Sequence, residues 1–191
     1  NRYDLTIDAR KPLTLGWTFG EFFLASVRMR QPDQALKDIS AIQIFRGADP
    51  RWIQFYESSF WPGWHMNKAY YFPMHGLFMQ AYTDVLVQDW RGYVDLFPCI
   101  FKNWQEESFS FRGIRSLNGV TVDGDWDEGR IKVILHPNNA RDIRFRVSSH
   151  QGAFEARGQK SGPSLFSSEE TVHFEFTGNQ PVSITSQDSL K

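Results

Sequence analysis

The run Val120-Thr121-Val122-Asp123-Gly124-Asp125-Trp126-Asp127-Glu128-Gly129-Arg130-Ile131-Lys132-Val133-Ile134-Leu135 decides the class of the chain's second half. Val120 and Val122 recur at every second position, as do Ile131, Val133 and Leu135. A strand points successive side chains to opposite faces, so this period marks strands with one buried face. Asp127-Glu128-Gly129 has the composition of a tight turn, and the run reads as a hairpin that carries Trp126.

The same period continues outward from it. Phe109 alternates with Phe111 upstream, and downstream Ile143 alternates with Phe145 and Val147, Val172 with Phe174 and Phe176, and Val182 with Ile184. Leu117-Asn118-Gly119, Pro137-Asn138-Asn139 and Gly178-Asn179 punctuate the series as turns. Short antiparallel strands following one another in a meander predict a β-sandwich of about seven or eight strands over residues 91–191. Gln159 to Pro163 is expected to be an exposed loop, and the Ser-rich end after Thr185 to fray.

Before Gly92 the spacing changes to that of helices. Phe19, Phe22, Phe23 and Val27 form a stripe between Trp17 and Arg30. Gln31-Pro32-Asp33 interrupts it, and Pro32 suits the first turn of a second helix, in which Ala35, Leu36, Ile39 and Ile42 keep the period to about Phe45. Leu77, Phe78, Ala81, Tyr82, Val85 and Leu86 predict a third helix from Pro73 to about Asp89. The fold class is therefore α+β in two parts, a helical segment over residues 1–90 and a sandwich over 91–191. Three helices hardly enclose so much aromatic surface, which points to a larger helical bundle or barrel lying partly outside the chain.

The chain has 191 residues, and 41% of them are hydrophobic and 23% charged, enough apolar material for a core. Its 21 basic and 22 acidic residues are interspersed and give a net charge of -1, so nucleic acid is a poor partner. No run of 18 apolar residues offers a membrane span, and Asn1-Arg2-Tyr3-Asp4 lacks the character of a signal peptide. Cys99 is the single cysteine, which leaves no internal disulfide and no thiolate metal cage, and nothing in the pattern asks for a cofactor. A first residue other than Met leads us to expect that a segment upstream was removed or that the chain belongs to a longer polypeptide.

Three stretches, taken in order, resemble the C-terminal region of family 95 glycoside hydrolases. Val94-Asp95-Leu96-Phe97-Pro98-Cys99, with Trp104 following, is similar to the hydrophobic-Leu-Leu-Pro-Ala run and later Trp that open that family's C-terminal domain. Ile114-Arg115-Ser116, Gly119-Val120, Val122, Trp126 and Gly129-Arg130-Ile131 resemble its Leu-Arg-Ala, Gly-Phe, Val, Trp and Gly-Lys-Leu pattern at kept spacing. Upstream, Ala81-Tyr82-Thr83-Asp84-Val85-Leu86-Val87-Gln88 is similar to the helix that precedes the sandwich. The match runs from about Leu77 to Ile134.

The resemblance implies that the helices of residues 1–90 are the last of an (α/α)6 barrel with a sandwich behind it, and that the activity is an inverting, α-L-fucosidase-like hydrolysis. In such an enzyme a Glu acid protonates the leaving oxygen while an Asp with Asn partners activates water. It implies an oligosaccharide or glycan as ligand, the upstream part of the polypeptide or a companion chain as partner, and a bacterial periplasmic or extracellular location. One departure stands at the chemistry: where the family carries Asp-Gly-Asn-Phe-Gly before its last barrel helix, this chain reads Phe72-Pro73-Met74-His75-Gly76. No carboxylate is there, so no catalytic residue is assigned and the chain alone is expected to lack turnover. The alternative is a non-catalytic carbohydrate-binding or structural module.

Nine of the 21 residues from Trp52 to Phe72 are aromatic. Flat aromatic faces stack on the apolar C–H faces of sugars while polar neighbours take their hydroxyls, so Trp52, Tyr56, Trp61 and Trp64, with Glu57, His65, Asn67 and His75, are the candidate substrate-binding residues. The competing reading packs these aromatics against the helices. A neutral imidazole, with a reference pKa of about 6.5, binds hydroxyls or moves a proton, and it serves equally as a packed residue. His65 and His75, ten residues apart, form no metal-ligand motif. Glu21 and Asp49 pair with nothing in the pattern, and Asp123, Asp125, Asp127 and Glu128 suit a hairpin better than a calcium loop.

Overall fold

A computed structural model describes residues 16–44, 72–148, 152–158 and 163–187. The chain divides into two compact units, Asn1–Tyr82 and Thr83–Lys191.

The first unit holds α1 (Gly16–Arg28), α2 (Pro32–Ile44) and the first turns of α3 (Phe72–Leu86). Of the expected stripe Phe19, Phe23 and Val27 are buried on α1 and Phe22 is half-buried, and Ala35 is buried on α2. Helix α1 closes with a Schellman motif. Arg30 takes φ 57°, its N–H donates to the Val27 carbonyl at 3.0 Å, and the Gln31 N–H reaches the Ser26 carbonyl at 2.9 Å. Pro32 then opens α2, where its missing N–H costs no helical hydrogen bond. Inside the hairpin Ser26 donates its hydroxyl to buried Asp38, whose second oxygen accepts from Gln34 Nε2 at 3.0 Å. Against α3, a Cβ at position 20 would stand 3.1 Å from the Leu77 side chain, so glycine permits the close approach. Phe23 fills the space beside it, 5.2 Å from the Phe78 ring and 5.4 Å from that of Tyr82.

The third helix stops at Leu86, short of the expected Asp89, because the chain pairs at once as a strand. Val87–Gln88 (β1) lies antiparallel to Val94–Leu96 (β2). Leu86 and Val85 offer their carbonyls to the N–H groups of Phe97 (2.7 Å) and Cys99 (3.4 Å), so the returning arm satisfies helix-end acceptors that would otherwise be orphaned.

The second unit contains two sheets. The larger runs β3-β4-β5-β10-β7-β8, formed by Ser108–Arg115, Val120–Asp127, Arg130–Pro137, Val182–Ser186, Ala153–Arg157 and Ser164–Ser167 in that order. The smaller runs β1-β2-β6-β9, where β6 is Asp142–Val147 and β9 is Val172–Glu175. Among the described residues of 91–191 nine strands stand where seven or eight were expected, with β1 lying just before that range, and their order is not a simple meander: β10 returns between β5 and β7, and β2 pairs with β6 in parallel. All other pairs are antiparallel. Phe145 of the smaller sheet meets Phe166 of the larger at 5.6 Å between ring centroids, which places the apolar core between the sheets.

The quoted hairpin forms as read. Val120, Val122 and Trp126 face the core from β4, and Ile131, Val133 and Leu135 from β5. Trp126 is 1% exposed, lies nearly parallel to Phe109 at 5.9 Å and touches Phe97 at 5.3 Å. Gly124 is required here, since a side chain at that position would run into the Phe111 ring. The helical and sandwich parts thus exist as an α+β chain; among the described residues three helices of at least 13 residues are present.

Candidate functional site

Seven of the eight residues proposed for sugar binding, Trp52, Tyr56, Glu57, Trp61, Trp64, His65 and Asn67, lie outside the described residues, as does Asp49. His75 is described. It sits half-buried in the first turns of α3, its ring 6.2 Å from that of Phe72, and the segment in which the family would carry its base is helical here, with Met74 fully buried. Glu21 is exposed on α1.

The acidic residues of β4 share its outer face because strand side chains alternate, and each is held by a neighbour. Asp125 receives Arg112 Nη2 at 2.6 Å. Asp127 accepts from Ser108 at 2.6 Å and pairs with Arg130 at 3.1 Å. Asp123 accepts the Gly113 N–H at 2.8 Å and faces His136 Nε2 at 3.1 Å. The Gly113 N–H, with His136 assisting, stabilises the ionised form and holds the Asp123 carboxyl below the usual carboxylate range. This face is a set of cross-strand pairs.

A groove of about 500 Å³ opens at one end of the sandwich, between two of the connections that cross from sheet to sheet. One wall is the β5–β6 connection, Asn138 to Arg141. It is pinned to the β3–β4 turn, since the N–H groups of Asn138 and Asn139 both donate to the Gly119 carbonyl, at 2.9 and 3.3 Å. Gly119 has φ +79°, and a Cβ there would lie 3.3 Å from the Ala140 nitrogen, so the turn admits the wall only as glycine. The Asn138 amide donates to Thr121 Oγ1 at 2.9 Å.

The other wall is the β9–β10 connection. Phe176 donates its N–H to the Arg141 carbonyl at 2.8 Å, which closes the floor between the walls. Phe176 was expected to alternate with Phe174 in a strand, but β9 ends at Glu175 and the half-buried Phe176 is among the residues that line the groove. Asp142 and Glu175 face each other across the β6–β9 pair, and His173 Nε2 stands 3.6 Å from Asp142. Gly178 and Asn179 complete the rim.

Neither a family model nor a curated protein matches the chain. What the groove can do must be read from its lining. An aromatic ring, exposed amides, one guanidinium and two carboxylates offer donors, acceptors and an apolar face together, without a single dominant charge. Sequence reading placed Asn138, Asn139, Gly178 and Asn179 only as turn residues, and nothing in their spacing announces that two turns distant in sequence meet.

Proposed function

We propose that this chain is the C-terminal portion of a carbohydrate-active, inverting, α-L-fucosidase-like glycoside hydrolase, contributing part of the sugar-binding cleft and depending on an upstream segment or companion chain for its catalytic acid. The observation that carries the reading is the order of elements across the resembling stretch. A helix ends in a strand, the Leu96-Phe97-Pro98-Cys99 arm returns to cap that helix, and a hairpin with a buried Trp126 follows. Each motif of the resemblance therefore has a structural task that fits its residues.

A periplasmic or extracellular location goes with the same reading.

The test is turnover of aryl α-L-fucosides and α-galactosides by the product of the full reading frame and by the 191-residue chain alone. Release of the aryl group by the longer product, with none from the chain, is the expected result; equal inactivity of both removes the hydrolase reading. A non-catalytic carbohydrate-binding module is the second reading, favoured by the absence of a carboxylate from Phe72-Pro73-Met74-His75-Gly76.

A further inference from the structure

We infer that the groove between the β5–β6 and β9–β10 connections is a binding site for a neutral saccharide. The inference rests on the carbohydrate reading above and adds to it a second place of contact, on the sandwich.

The chemistry of the lining selects the ligand class. At about 500 Å³ the groove has the size of a small-molecule site, for which roughly 300 to 1,000 Å³ is usual. Small-molecule sites usually set a few polar groups in an apolar lining, whereas this lining is more polar, with amides, carboxylates and a guanidinium beside a single aromatic residue. A ligand that satisfies them carries many hydroxyl groups and one apolar face, the description of a pyranose. Phe176 supplies the surface for the C–H face. Asn139 and Asn179 donate and accept, Arg141 donates, and the carboxylates of Asp142 and Glu175 accept from hydroxyls.

Charge disfavours the competing classes. Arg141 against Asp142 and Glu175 leaves the lining at one negative charge, unsuited to phosphate or a sulfated sugar. Among the described residues no group of three His, Cys, Asp or Glu side chains is placed to hold a metal ion. Both walls are fixed before any ligand arrives, one by Gly119 and the other by the Phe176 N–H, so binding orders little backbone.

The experiment is a titration of the uniformly 15N-labelled chain with L-fucose, D-galactose and D-glucose, followed by amide chemical shifts. One of these sugars is expected to shift residues 139–142 and 176–179, saturating in the millimolar range. Phe176→Ala is expected to weaken that binding about tenfold, while Phe176→Tyr, which keeps the ring, retains it; unchanged dispersion of the remaining amides certifies both folds. Shifts confined to residues 52–75 would overturn the inference and leave the hydrolase reading standing, as would no shift at all while the longer polypeptide turns over. A response of Asp142 and Glu175 to calcium chloride but to no sugar would assign the groove to a cation and overturn the inference. Absence of both binding and turnover removes the underlying reading with it.

Discussion

Trp126 illustrates how one side chain secures the sandwich. Its ring is enclosed by Phe97 and Phe109, and its Nε1–H donates to the Gln105 carbonyl at 3.3 Å. Trp126→Ala removes that area and leaves a cavity, so it is expected to cost about 3 to 5 kcal/mol, read as a lower urea midpoint at unchanged slope. Phe97, its neighbour, holds φ 54°, a left-handed conformation unusual for a bulky residue, and spends that strain on turning the chain back onto α3. Asp123 carries the pH dependence of the outer face. A carboxyl lowered in the folded state adds stability that is fully present above its unfolded value of about 3.9 and is lost as pH falls through the folded value. Asp123→Asn is therefore expected to flatten the fall of the melting temperature below about pH 4; an unaltered acid limb in thermal melts would contradict the assignment. The hairpin that carries Trp126 was legible from the flanking alternation and its turn, whereas the bond from Gly113 depends on a bulge between Phe111 and Ile114 that the sequence does not announce.

Among the elements, the strands that alternate cleanly were legible and the others were not. Strand β2 reads Val94-Asp95-Leu96 and is buried on both faces, so no period of two is visible. Strand β1 is two residues long and continues a helical pattern, β7 relies on Ala156 for one of its two inward positions, and β8 exposes Leu165 beside buried Phe166. The parallel β2–β6 pair is held by polar chemistry as well as by backbone bonds. Asp95, 1% exposed, accepts from Arg146 Nη2 at 2.9 Å and from Ser148 Oγ at 2.6 Å. Arg146 also reaches Glu169 at 3.1 Å and lies 4.8 Å from the Tyr93 ring centroid. Removing the guanidinium leaves the buried Asp95 carboxylate without its counterion, so Arg146→Met is expected to destabilise by about 3 to 5 kcal/mol. The pair replaced together, Asp95→Leu with Arg146→Met, is expected to recover much of that in urea unfolding; a double variant as unstable as the single one would mean that the shape of the site, and not the orphaned charge, sets the loss.

At the scale of the whole molecule, the change of period near Gly92 predicted an α+β chain, and the described residues have that organisation, with their sheets in the second unit. The proposed sugar contacts follow a different logic. An aromatic segment stands out by composition, while the groove is assembled from turns about forty residues apart that only the strand order brings together. Composition reveals the first kind of site and conceals the second. The central proposal is that this chain completes an inverting glycoside hydrolase, and its most direct test is proton NMR of the sugar first released when the product of the full reading frame acts on an aryl α-L-fucoside. The account expects the β-anomer to appear first and the α-anomer to grow in by mutarotation. Initial release of the α-anomer, or no release at all from that or an α-galactoside, would contradict it.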